Sequence, residues 1–235
     1  MPTGTDAVRK LASSGGPSQT ARARAILQYA HDSAEALLAA FESVRLARNA
    51  GRGRSTDEEQ DLLRAMVVMS AAGLDSSLKQ LIRDCLPTLA RAHETVAAEL
   101  EKFVARQLRG DPDEPESSAS TTFLAKLLVA ESRRDALLDR YTLSLTGSSL
   151  QSAEELAKAC KALGVDAATA GVRVADLRPV FKVRNRIIHE LDIDFDTGIR
   201  NRFPRSRKSM IGHTNTLLEV GEEIIKAVEG NLAAD

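Results

Sequence analysis

Apolar residues recur every three or four positions along most of this chain. Between Gln19 and Asn49 they are Ile26, Leu27, Ala30, Ala34, Leu37, Leu38, Phe41 and Val44, one face of a long helix that Gly51 suits to end. A second stripe runs through Leu63, Met66, Val67, Ser70, Leu74, Leu78, Leu81 and Ile82. A chain patterned this way buries its stripes by packing helix on helix. Composition agrees: only 3% of residues are aromatic and none is Trp, whereas strands favour β-branched and aromatic side chains. The expected fold class is all-α, a single helical bundle of about seven helices.

Punctuation places the elements. Met1 to Pro17 is small, polar and interrupted by Gly and Pro, so residues 1–17 read as a loose tail and 18–235 as one domain. Ser55 followed by Glu58 predicts a capping box for a second helix reaching about Cys85. Pro87 ends that helix or opens a third, which extends to about Leu108. Residues 110–118 (GDPDEPESS) form an acidic, proline-bearing loop, because neither half of the chain looks self-sufficient. A fourth helix covers Thr121 to Leu143. Ser152 and Glu155 cap a short fifth closed by Gly164, Asp176 caps a sixth reaching Glu190, and a seventh runs from Ser209 to Leu232.

The formal net charge of -1 supplies no global basic field, so any hold on nucleic acid must come from a local patch. Cys85 and Cys160 sit far apart inside apolar helical patterns and read as buried core thiols. No apolar run opens the chain and none approaches a membrane span, so a reducing cytoplasm is the expected compartment.

The informative stretch is Arg184-Asn185-Arg186-Ile187-Ile188-His189-Glu190 in the sixth helix. On a helical wheel Leu177, Val180, Ile187, Ile188 and Leu191 form one apolar stripe, and Arg184 falls within it. A guanidinium there is costly unless paired or facing a wet cleft. Asn185 and His189 are four apart and stand one above the other on a neighbouring face. Two readings are open from spacing alone. Arg184 could be a structural arginine paired with an acid such as Asp75, with His189 a surface histidine, or the three could form a site.

The run RNRIIHELDID resembles the signature of the HEPN superfamily: Arg, a polar residue that is often Asn, a short spacer, then His, in the penultimate helix of an α-helical chain. Two further segments, Val67 to Asp84 (VVMSAAGLDSSLKQLIRD) and Arg200 to Val228, resemble HEPN ribonuclease-like proteins of the RiboL-PSP type found in bacterial defence loci. The resemblance covers roughly Asp57 to Val228, and only the Arg/Asn/His element is chemically specific. It implies an up-down helical core and a homodimer joined through the Arg184–His189 helix. It also implies endonucleolytic cleavage of single-stranded RNA without a metal or other cofactor, with Arg184, Asn185 and His189 catalytic. An antitoxin or defence-system protein is the implied partner. The alternative is a non-catalytic HEPN module that dimerises and binds RNA, a nucleotide or a partner protein.

The chemistry suits these residue types. RNA carries its own nucleophile in the 2′-hydroxyl, histidine is the side chain that titrates near neutral pH, and an arginine can neutralise charge growing on phosphorane oxygens. Downstream, Arg200, Arg202, Arg205, Arg207 and Lys208 carry no acid among them. They either hold RNA phosphates near the cleft or form a solvated loop balanced by Asp192, Asp194 and Asp196. The Asp192-x-Asp194-x-Asp196 run fails as a calcium loop, since Thr197 stands where the turn needs Gly and Phe203 where a bidentate Glu belongs. His31, His93, His189 and His213 show no metal-ligand spacing with the two cysteines. No phosphate-cradling glycine loop or serine-hydrolase elbow is present.

Overall fold

The computed structural model describes residues 7–12, 16–49, 53–109, 118–166, 173–196 and 201–234. Among them the chain is all-α, as expected. Eight α-helices follow one another: α1 (Ala21–Ala47), α2 (Asp57–Ala92), α3 (Glu94–Arg109), α4 (Ser118–Val129), α5 (Arg133–Thr146), α6 (Ala153–Ala162), α7 (Leu177–Glu190) and α8 (Arg207–Ala233), with short 3-10 turns at Ser18–Thr20 and Val174–Asp176. The described residues hold no strand, only an isolated antiparallel bridge between Ile193 and Arg202. No described helix is long and apolar enough to cross a membrane.

The 36-residue α2 is the wall against which the other helices pack, with α1 and α8 laid along it. Its small-residue run decides how closely α1 approaches. A Cβ built on Gly73 would lie 2.1 Å from the Cβ of Ala30, so only a glycine permits this crossing. The Ser77 hydroxyl donates across the same seam to the Ala23 carbonyl at 2.7 Å. Gly221 of α8 lies against Leu27 and Leu74, completing a three-helix core.

Several element boundaries differ from those the sequence suggests. The capping box is Thr56 and Glu59, one residue beyond Ser55 and Glu58. Thr56 Oγ1 accepts from the Glu59 amide at 3.3 Å and the Glu59 carboxylate accepts from the Thr56 amide at 2.9 Å. Arg48 and Arg45 also bind the buried Glu59, and that pairing selects this frame. Pro87 lies inside α2, which runs on to Ala92. Burial of Leu86, Leu89 and Ala90 on the same stripe offsets the hydrogen bond that a proline cannot donate. The expected helix from Thr121 to Leu143 is two helices. Ser132 caps α5 by accepting from the Asp135 amide at 3.2 Å, and Arg134 ties α5 to the Ala90 carbonyl at 3.0 Å. Asp176 is not a side-chain cap: it sits in a 3-10 turn and pairs with Arg173 at 3.3 Å. The last helix starts at Arg207, because Ser206 accepts from the Ser209 amide at 3.2 Å.

The expected loose tail is corrected over Ala7–Ala12. Val8 is buried in the core, and the amides of Arg9 and Ala12 donate to Asn215 Oδ1 and Glu222 Oε1 on α8 at 2.8 and 2.9 Å. The rest of that segment from residues 1–6 and 13–15, Gly51, and the acidic loop at 110–117 lie outside the described residues. Cys85 and Cys160 are buried as expected, and burial pushes both thiols up to about 12.

The α1–α2 seam makes a direct prediction. Gly73→Ala should cost about 1–3 kcal/mol in urea unfolding, since neither helix has room to yield. Gly212→Ala on α8, where a Cβ meets nothing within 4 Å, should be neutral or gain up to about 1 kcal/mol from helix propensity. Equal midpoints for the two variants would refute the close-crossing account.

Candidate functional site

The helix α7 is most deeply buried at its start. Leu177, Val180 and Phe181 are buried, whereas Ile188 and Leu191 are 39% and 65% exposed. The apolar stripe read from the sequence is therefore fully buried only in its first half, although Ile187 still packs against the core. In the second half Arg184, Arg186 and Ile187 are half-buried, and Asn185 and His189 are exposed.

Within the motif, the Arg184 guanidinium lies along the helix and donates from Nη1 to Asn185 Oδ1 at 2.8 Å. Its Nε is buried with no hydrogen-bond partner. Burial lowers the pKa of this guanidinium, while the nearby Asp75 carboxylate acts in the opposite sense. Asp75 is not an ion-pair partner of Arg184. It accepts from Lys79 Nζ at 2.9 Å and from the Leu150 amide at 2.6 Å. His189 is exposed on the last turn of α7, and among the described residues no side chain hydrogen-bonds it. The structure thus joins Arg184 to Asn185 and leaves His189 one turn further along the Asn185 face.

The end of α7 is held by a network that the sequence reading did not identify. No glycine follows the helix, yet Leu191 and Asp192 both adopt left-handed backbone, with φ of 50° and 59°. Their amides turn back onto the Arg186 carbonyl. Such a conformation costs a non-glycine residue on the order of 1–2 kcal/mol, less for Asp than for Leu. The turn drives Asp192 into the protein, where it is 0% exposed and accepts from Arg64 Nε at 2.9 Å, with Arg64 itself 2% exposed. Arg205 supplies a second, bidentate partner through its Nε, at 2.7 Å, and its Nη2.

Each described arginine of this loop binds the protein itself. Arg202 pairs with Asp61 at 2.6 Å and donates to the Leu191 carbonyl at 3.0 Å. Arg205 holds Asp192, and Arg207 pairs with Glu42. Arg200 lies outside the described residues. Among the described residues, of the three acids expected to balance this loop only Asp192 does so; Arg202 and Arg207 pair instead with Asp61 and Glu42 on other segments. Asp192, the first acid of the abandoned calcium pattern, is the buried hub of that pairing. Phe203, on the same loop, receives the Arg186 guanidinium over its ring at 4.1 Å.

Beside the motif lies a cleft of about 390 Å³ between the start of α6 and the exposed face of α7, lined by Gln151, Ser152, Glu154, Arg178, Lys182 and Asn185 among others. Of the expected site residues only Asn185 lines it. Elsewhere among the described residues, His31, Asp32 and Glu35 bring three ligand-type atoms within 4.8 Å of one another on α1. Asp32 already accepts from Gln28 at 2.7 Å, and the cluster belongs to a different helix from the motif. Its signal in the sequence is His-Asp-x-x-Glu within about one helical turn, which pairing histidines with cysteines alone does not find.

Comparison with known protein families, curated proteins and solved structures finds no match to this chain.

The buried network yields the next prediction. Asp192→Ala leaves Arg64 and Arg205 facing each other without their shared acid, which should cost about 3–5 kcal/mol in equilibrium unfolding. A loss no larger than that of an exposed pair, below about 1 kcal/mol, would show that Asp192 does not hold the end of α7.

Proposed function

We propose that this chain is a HEPN-type, metal-independent endoribonuclease that cleaves single-stranded RNA, serving in phage defence or as a toxin. The observation that carries the reading is the disposition of three side chains in the last two turns of α7. His189 is exposed, Asn185 stands one turn away, and Arg184 grips Asn185; among the described residues His189 has no hydrogen-bond partner and the buried Arg184 Nε has no acceptor. A phosphate oxygen is the kind of acceptor that the guanidinium lacks.

In this reaction a base removes the proton of a 2′-hydroxyl, whose oxygen forms a bond to the adjacent phosphorus. The bond from phosphorus to the 5′-oxygen breaks, and an acid protonates that leaving oxygen. The products are a 2′,3′-cyclic phosphate and a 5′-hydroxyl. One imidazole cannot comfortably serve both sides of the phosphorus, so the reading includes a two-fold dimer that brings two copies of His189 to one cleft. Ile188, Leu191 and Phe195, the last 59% exposed, are the large apolar side chains that the end of α7 and the segment after it offer to such a contact.

The second reading, a non-catalytic HEPN module that dimerises and binds RNA, a nucleotide or a partner protein, is favoured by one observation. Arg184 and His189 are five residues apart and so about 140° apart around α7. Within one chain they do not converge.

Purified protein should cleave mixed single-stranded RNA in EDTA, leaving 2′,3′-cyclic phosphate ends and sparing DNA. His189→Ala should lower the rate about a hundredfold or more. Full activity in that variant would remove His189 from the site, and no cleavage by folded dimer would favour the binding module. In light scattering the protein should be a dimer at micromolar concentration, and Leu191→Asp should shift it toward monomer. A wild-type monomer would defeat the shared-cleft geometry.

A further inference from the structure

We infer that the exposed face of α7 leading up to His189 is the strand-binding subsite, in which Arg178, Lys182 and Arg186 take successive phosphates of single-stranded RNA, with Asn185 beside them, and Gln151 takes a donor from a nucleotide. The inference rests on the ribonuclease reading for what happens at His189, but its geometry is independent of it.

Arg178, Lys182 and Arg186 are spaced four residues apart, which sets them about 6 Å apart along one side of the helix. Around the axis, Arg178, Lys182, Asn185, Arg186 and His189 fall within about 100° of one another, so a strand following the cations arrives at the imidazole. Lys182 is exposed, and among the described residues no acid pairs with it. Arg178 pairs with Glu154 at 3.1 Å, but both side chains are more than two-thirds exposed. Such a pair contributes little and yields to a phosphate. The Arg186 guanidinium is oriented by its stack on Phe203 and is only loosely paired, at 3.7 Å, with Glu190. The loop arginines are held more firmly, Arg205 on the buried Asp192 and Arg202 on both Asp61 and the Leu191 carbonyl.

The opposite wall supplies the second element. Gln151 Oε1 is buried and accepts no hydrogen bond within the protein, and Gln151 lines the cleft. A phosphate has no proton to offer it, whereas a ribose hydroxyl or a base amine does. A volume of about 390 Å³ falls in the range of small-ligand sites. Two acids, Glu154 and Glu190, also face this cleft, leaving one excess positive charge when set against the three cations. Glu154 is folded back on its own backbone amide and on Ser152, so the start of α6 is answered by the protein's own carboxylate. The phosphates are left to α7.

The test is fluorescence-anisotropy titration of a labelled single-stranded RNA with full-length protein carrying His189→Ala, so that the strand stays intact. Adding Arg178→Ala and Lys182→Ala together should weaken binding about tenfold. It should also reduce the slope of log affinity against log salt by about 1.4, the value for two lost phosphate contacts on a single strand. Gln151→Ala should weaken binding severalfold at every salt concentration, since it removes no charge. Lys158→Ala, on α6 and outside the cleft lining, should change neither quantity. All four positions are on exposed or partly exposed surface, and unchanged thermal melting will confirm that the variants fold. An unaltered salt slope in the double variant, an equal effect of Lys158→Ala, or no RNA binding at all would overturn the subsite. Parallel cleavage assays on chains with His189 intact separate the two ideas. Binding through α7 without cleavage would sink the ribonuclease reading alone. Cleavage with an unchanged KM in the double variant would sink the subsite alone.

Discussion

Asp192 sits between Arg64 and Arg205 in a part of the protein that water does not reach, and the presentation of the motif depends on that contact. An isolated carboxylate would be very costly there. Two guanidiniums offset the desolvation, with Arg205 gripping both oxygens. The contact joins α2 to the end of α7 and to the segment that leads into α8. It also holds Leu191 and Asp192 in a left-handed turn that neither residue type prefers. Because the chain turns inward at Asp192, α7 stops at Glu190 and His189 remains on a final, solvent-facing turn.

The same bracing recurs through the molecule at lower intensity. Residue Glu59 both caps α2 and binds Arg45 and Arg48 from the end of α1. Glu229 near the end of α8 takes Arg24 and Thr20, and Glu222 takes Arg9 and the Ala12 amide. Each acid ties a connection or terminal segment to a helix whose apolar face is already buried. The hydrophobic seams supply most of the free energy of such a bundle, and the paired acids fix where its loops and ends lie. That division explains why the arginine-rich loop, which looks like a nucleic-acid contact in a linear reading, is largely part of the framework.

The site was only partly legible. His189 and Asn185 at a spacing of four are bound to share a face of any helix that contains them, so their juxtaposition could be read directly. Arg184 on the apolar stripe was equally visible, but its contact with Asn185 required knowing that the stripe is only partly buried from Val183 onward. The row Arg178, Lys182, Arg186 was present as a spacing of four. It drew no notice because nothing local showed that α6 faces it or that its cations lack strong partners. The reverse holds for Arg202, Arg205 and Arg207, whose acids Asp61, Asp192 and Glu42 come from three different segments.

Local chemistry explains what the sequence by itself determined. Periodicity of 3.6, abundant Ala and Leu, and scarce aromatics are properties of neighbours within a few residues, so they sufficed for the all-α class and for most helix centres. Helix ends were less secure, because competing caps such as Ser55 and Thr56 differ by less than the ion pairs that choose between them. Tertiary structure alone decided which charges are buried and which are offered to solvent. Burial depends on residues over a hundred positions apart, as with Arg64 and Asp192, and their interaction is strong only once the folded chain has excluded water around them.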